Sequence, residues 1–211
     1  MKCYCIEKDD KFVYCVENIE EKYIENIEHA WFKKDGNKYI KEYPNPIDDQ
    51  EIIKYNFSTI DESMFKSEGS WKESLKYFIE KCLAENIEWY ITGSISESVI
   101  GVEIVPHDID AIIHTRDFYK TKEIFMDYLI EPFVDNHGTW VVQYFGRICI
   151  NGVMFDIAAD KRINQENHVY ENIKWEGYTL KVESLKTRYE IEKQRNRLDR
   201  IKAIEKYMMK T

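Results

Sequence analysis

The apolar run Trp89-Tyr90-Ile91-Thr92 stops at Gly93-Ser94, and a helical pattern begins at once and runs to Ile100, where Gly101 ends it. A chain that passes from a buried strand through a tight turn into a helix is committed to mixing the two. The strand needs a sheet and the helix must cover it. A second apolar strand is expected from Asp108 to His114. It opens with Asp108-Ile109-Asp110, two carboxylates at a spacing that puts both on one face. A third carboxylate, Asp156, interrupts the apolar strand Val153-Met154-Phe155-Asp156-Ile157.

The rest of the chain can be read around this centre. Residues 2–7 and 11–16 alternate about Lys8-Asp9-Asp10 and predict a hairpin. Residues 30–43 predict another, turning at Asp35-Gly36, before Pro44 and Pro46 punctuate the chain. Residues 1–65 are therefore expected to form a β-rich N-terminal appendage, and 66–211 the main domain. Within the latter, helical spacing runs from Trp71 to Asn86 and from Asp117 to Ile130. Two more strands are expected at 139–143 and 147–158, turning near Gly146 or Asn151-Gly152. Residues 173–182 read as extended structure around Gly177. Leu185, Tyr189, Leu198, Ile201, Ile204 and Met208 give helices over 183–210. The expected class is α+β, a mixed β-sheet flanked by helices.

Two same-face carboxylates repel unless a cation lies between them. Hard oxygen ligands of this kind suit Mg²⁺ or Mn²⁺, which share their coordination sphere with substrate phosphates. A glycine lets backbone approach a phosphate closely, and the helix that follows offers free N–H groups to an anion. Gly93 and Ser94 are thus candidate phosphate contacts, and Asp108, Asp110 and Asp156 candidate metal ligands. Asp156 also suits the role of general base. His107 can orient a carboxylate or a phosphate, or make only a local hydrogen bond, and His114 reads as structural. Lys161 and Arg162, five and six residues after Asp156, can reach a triphosphate or stand as solvated loop charges, the second being the simpler reading. Trp140, Tyr144, Phe145 and Trp175 can stack on a base, but core packing is the simpler role.

Net charge sharpens this. The chain of 211 residues carries −9. From Lys181 onward ten Lys/Arg face five Asp/Glu, a local +5 that leaves −14 on the preceding 180 residues. So acidic a body argues against a general nucleic-acid coat. A basic tail, with Arg195 and Arg197 as its best candidates, can meet a triphosphate. The five cysteines fit a reducing compartment, and the spacing of Cys3, Cys5 and Cys15 matches no common zinc pattern. No apolar run is long enough to span a membrane, and residues 1–7 lack the apolar core of a signal peptide, so a cytoplasmic location is expected.

The ordered set Gly93-Ser94, Asp108-x-Asp110 and Asp156 resembles the nucleotidyltransferase superfamily, the polymerase-β-like fold. Its layout is nearest to the small aminoglycoside and lincosamide nucleotidyltransferases. Gly101 and His107 sit comparably to a glycine and a histidine of those enzymes, and the likeness covers roughly Trp71 to Tyr207. It implies transfer of a nucleoside monophosphate from an NTP, with ATP as the expected co-substrate, to an acceptor hydroxyl. Pyrophosphate would leave, and Asp108, Asp110 and Asp156 would hold Mg²⁺. Two departures stand out. Val105-Pro106 occupy the place of an arginine in the antibiotic-modifying members, and Glu97 puts a negative charge in the helix after the turn. They leave open a catalytically idle binding or regulatory protein of the same fold. The basic tail leaves open a transferase acting on tRNA or protein.

Overall fold

The structure, a computed structural model, describes residues 1–60, 70–139, 141–160 and 170–210. The expected domain boundary at 65–66, and Trp140, Lys161 and Arg162, lie outside the described residues.

The first hairpin forms as expected: β1 (Lys2–Lys8) pairs antiparallel with β2 (Lys11–Glu17). Helix α1 (Ile24–His29) leads to a second hairpin, β3 (Lys33–Asp35) and β4 (Lys38–Pro44). The sheet order is β1-β2-β4-β3. The segment holds more helix than its alternating pattern implied. Helix α2 (Gln50–Thr59) buries Ile53 and Phe57, four residues apart and so on one helical face. The side chain of Asn56 on α2 donates to the carbonyls of Asp127 and Leu129, at 3.0 and 2.8 Å, anchoring the helix to the second sheet.

Helix α3 (Trp71–Ala84) is capped by Ser70, whose hydroxyl accepts from the Glu73 amide, and buries Leu75, Phe78, Ile79 and Cys82. Strand β5 (Trp89–Thr92) runs directly into helix α4 (Gly93–Ile100), which stops at Gly101 in left-handed conformation. Then come β6 (Ile109–Ile113), helix α5 (Phe118–Ile124), β7 (Leu129–Asp135), β8 (Tyr144–Ile150) and β9 (Val153–Ala159). β10 (Tyr170–Trp175), β11 (Tyr178–Glu183) and helices α6 (Leu185–Gln194) and α7 (Leu198–Met208) complete the chain. The seven-stranded sheet has the order β10-β11-β5-β6-β9-β8-β7. It is mixed: β6 lies parallel to β9 and β11 to β5, and the other pairs are antiparallel. Apolar side chains of both sheets and of the helices packed on them, from Phe12 and Phe57 to Phe78 and Phe155, join one continuous core.

Three expectations need correction. The helix expected to reach Ile130 ends at Ile124, and Leu129-Ile130 begin β7 instead. Pro132 within that strand is tolerated because β7 is a sheet edge, with register shifts on either side of Glu131. Residues 141–143 are loop rather than strand. Asn136 folds the chain back, its backbone amide donating to the Gln143 carbonyl while its side chain donates to the Val142 carbonyl. Asp108 lies one residue before β6 rather than within it.

Candidate active site

Sheet register assembles the carboxylates. Asp110 on β6 lies directly beside Asp156 on the parallel strand β9, and Thr92 at the end of β5 lies beside Asp110 on the other side. Asp108, two residues ahead, completes the group. One carboxylate oxygen from each of Asp108, Asp110 and Asp156 lies within 4.8 Å of the others, the one such cluster of potential ligands among the described residues. The cysteines of the first hairpin, Cys3, Cys5 and Cys15, form no such group.

Gly93 has a structural reason to be glycine. Its φ is +68°, and a Cβ there would stand 1.8 Å from Asp110 Oδ2. The backbone turn is therefore pressed against a carboxylate, and only the absence of a side chain allows it. Ser94 follows, nearly fully buried at the start of α4.

The electrostatics of the three carboxylates suit a bound cation. Burial, and then the neighbouring Asp156, push the Asp108 carboxyl up to about 6. Burial, followed by Asp108 and Asp156, raises Asp110 well above the usual carboxylate range. Like charges forced together out of water are stabilised by a divalent ion or by a proton. Three oxygen donors with this frustration, beside a turn that only glycine can make, fit Mg²⁺ or Mn²⁺.

A guanidinium fork sets the orientation of Asp156. Arg147 on β8 faces it across the antiparallel pair and donates from Nε to Oδ1 at 2.6 Å and from Nη2 to Oδ2 at 2.9 Å. Arg147 is only 1% exposed. Its Nη1 donates to Glu131 Oε1 at 3.0 Å and to the Ala30 carbonyl at 2.8 Å. Glu131 in turn accepts from Lys41 and from the Tyr43 hydroxyl. Burial raises the Glu131 carboxyl, but Arg147 and Lys41 outweigh that and hold it below its ordinary value. Burial pushes the Lys41 amine down to about 8. Residues 30, 41 and 43, from the N-terminal segment, thus support a carboxylate of the site. Each Asp156 oxygen keeps a lone pair beyond its arginine bond, enough for one further contact.

The three carboxylates open into a cleft of about 590 Å³. Gly93, Ser94 and His107 line it together with Arg195, Arg197 and Arg200 from the α6–α7 turn. Burial, and then Arg200 and His29, push the His107 imidazole down. The residues expected to hold metal and phosphate, and His107 with them, therefore border one volume. Glu97 does not: it is fully buried and accepts from Arg188 Nε at 3.0 Å, while Arg188 also donates to Glu183 and Glu192. The charge expected near the phosphates is engaged inside the fold. Sequence reasoning missed Arg147, Glu131, Arg188 and Arg200, as well as Glu25, Asn26, His29 and Trp31, which bring the N-terminal segment to the cleft. For Arg147 a signal existed: a charge within Tyr144–Ile150, an apolar strand, needs a partner, and a turn at Asn151-Gly152 sets it opposite Asp156.

Fold and site together define the class: the chain has a nucleotidyltransferase-like fold. Among solved structures it resembles a protein of Thermotoga maritima described as a "putative nucleotidyltransferase". The TM-score is 0.50 at 20% identity, over 67% of this chain and 94% of that one. At that identity the likeness establishes the fold. No protein-family model matches the sequence, and no curated protein matches it. No helix among the described residues is long and apolar enough to cross a membrane.

Proposed function

We propose that this protein is a Mg²⁺- or Mn²⁺-dependent nucleotidyltransferase that moves a nucleoside monophosphate from an NTP, ATP being the expected one, to an acceptor hydroxyl and releases pyrophosphate. The observation that carries this reading is the convergence of Asp108, Asp110 and Asp156 beside the Gly93 turn. Asp108, Asp110 and Asp156 would hold the metal, which when bound supplies charge neutralisation at the phosphates and activation of the attacking hydroxyl. Gly93 and Ser94 bring backbone against the polyphosphate at the start of α4. Arg195 and Arg197, at the cleft rim, meet its outer phosphates. Arg147 fixes the rotamer of Asp156, so that the oxygens facing the acceptor are already aimed. Asp156 can then take the hydroxyl proton or serve purely as a ligand.

The burial of Glu97 against Arg188 removes one of the two sequence features that favoured an idle member of the fold. The test is incubation with labelled ATP, GTP, CTP and UTP in Mg²⁺ or Mn²⁺, read as tight binding, self-labelling or pyrophosphate release. Silence with all four, together with a melting temperature indifferent to either metal, would sink the proposal. Loss of the signal in a folded Asp108→Asn protein is the expected control.

A further inference from the structure

The cleft has a second, chemically different side. Its arginines Arg195, Arg197 and Arg200 come from the α6–α7 turn, where Arg197 and Arg200 face Glu192 at 3.6 and 3.9 Å, whereas the N-terminal segment contributes Glu25, Asn26, His29 and Trp31, with no lysine or arginine among them. The basic residues beneath that side are engaged: Arg147 by Asp156 and Glu131, Lys41 by Glu131.

Trp31 occupies an unusual place. Helix α1 ends in a paired closure in which the Phe32 amide donates to the Ile27 carbonyl and the Trp31 amide to the Glu28 carbonyl. That closure requires its penultimate residue to be left-handed, the position where glycine is usual. Here it is tryptophan, at φ +65°. A bulky residue at positive φ is an outlier that packing must hold in place. The groups holding it belong to the site's own support: the Arg147 guanidinium lies 4.4 Å and the Lys41 ammonium 5.0 Å from the indole centroid, and Phe145 packs beside it at 5.1 Å. Even so, the indole remains 41% exposed and lines the cleft. The same arginine that aims Asp156 thus carries a flat aromatic surface that itself lines the cleft, one residue away from the carboxylate.

We propose that residues 25–31 form the acceptor subsite, with Trp31 as the platform on which a ring-bearing hydroxyl compound stacks, and that Glu25 and the engaged cations select an uncharged or cationic acceptor over an anionic one. The proposal rests on the nucleotidyltransferase reading and adds the acceptor's chemistry to it. It assigns the polyanion to the arginines of the α6–α7 turn and the ring to the N-terminal segment. A ring stacked on Trp31 brings its hydroxyl towards Asp156 through a contact only one arginine deep. A nucleic-acid acceptor would not be favoured on this side, because among the described residues its lining includes no lysine or arginine to meet phosphate.

Two probes of matched shape test this, tyramine and 4-hydroxyphenylacetate, which differ in an ammonium against a carboxylate. They are titrated into the full chain saturated with Mg²⁺ and α,β-methylene-ATP, following the Trp31 indole N–H resonance. Tyramine should shift that resonance and bind at least fivefold more tightly than 4-hydroxyphenylacetate. Trp31→Ala should weaken tyramine at least tenfold, Trp31→Phe less, and Glu25→Gln should narrow the discrimination between the probes. The nucleotide analogue should bind each variant within twofold of the wild type. Tyramine binding that leaves the Trp31 resonance unmoved, or equal binding of both probes, overturns the subsite. Loss of nucleotide affinity in Trp31→Ala would give the platform to the base instead and also overturns it. If the wild type binds no nucleotide with either metal, the nucleotidyltransferase reading fails first and takes the subsite with it.

Discussion

If Asp108, Asp110 and Asp156 form a metal site, the metal-free protein should be more stable without one of their charges. Asp108 is the best place to measure this, because its carboxyl rises from 3.8 to about 6 on folding. That shift of roughly 2 units corresponds to ~3 kcal/mol of folding free energy withheld at neutral pH, at about 1.4 kcal/mol per unit. Partial exposure to solvent reduces it, and about 1–3 kcal/mol is the expected range. The sign follows from proton linkage. The folded state binds the proton more tightly than the unfolded chain, so stability from this group rises as pH falls from above 6 towards 4, and the penalty is complete above 6. Asp108→Asn removes it. In EDTA at pH 7.5 the variant should melt above the wild type, by about 2–12 °C at ~2–4 °C per kcal/mol for a chain of this size. The gap should narrow as pH is lowered to 5. Taking the difference cancels His107, whose depressed value gives the opposite slope. Saturating Mg²⁺ or Mn²⁺ should raise the wild type and leave the variant nearly unmoved, shrinking or reversing the order. Calorimetry at three pH values, with and without metal, reads all of this. An Asn variant that melts at or below the wild type in EDTA, or a gap that does not change with pH, would refute the electrostatic reasoning.

Other outcomes follow from the same geometry. Arg147→Met strands Asp156 and Glu131 without their shared cation and should lower stability by ~3–5 kcal/mol, whereas Arg147→Met combined with Glu131→Met should regain part of it; a single variant melting within 2 °C of the wild type contradicts this, taking ~2–4 °C per kcal/mol. Gly93→Ala places a Cβ where Asp110 Oδ2 now lies, so Mn²⁺ affinity by titration calorimetry should fall about tenfold or more, in line with the effect of disturbing a ligand's support. Retained affinity would mean that the turn and the carboxylate move apart freely. Arg195→Gln and Arg197→Gln should each weaken triphosphate binding by ~1.5–3 kcal/mol while sparing nucleoside binding, with a shallower salt dependence. Equal loss for nucleoside and triphosphate would place these arginines elsewhere.

The parts of the molecule that local pattern could reveal are those whose cause is local. The strand–turn–helix at Trp89 to Ile100 follows from an apolar run meeting a glycine, and the same-face spacing of Asp108 and Asp110 needs only the period of a strand. Asp156 stood out because a carboxylate in an apolar strand requires a partner. Arg147 obeys the same rule, and both residues are equally far from Asn151-Gly152, so one hairpin register accounts for both charges. What could not be read is the other half of the support. The Ala30 carbonyl meets Arg147 across 117 positions of sequence, and Lys41 reaches Glu131 across 90. Neither contact has a local signature, because Lys41 on a half-polar strand looks like any solvent-facing lysine until the second sheet buries it. The helix expected over 117–130 failed for a related reason. Its apolar residues fit either period, and pairing with β8, a long-range event, decided that Leu129 onward is strand. The N-terminal segment is accordingly where sequence and structure differ most in meaning. It contains no catalytic pattern of its own, yet it closes the cation network behind Asp156 and brings Trp31 to the cleft. A site whose orienting groups come from a distant segment has its geometry tied to that segment's packing. Destabilising α1 at Ile27, which is fully buried and remote from the carboxylates in sequence, should therefore disturb Asp156 before it unfolds the sheet.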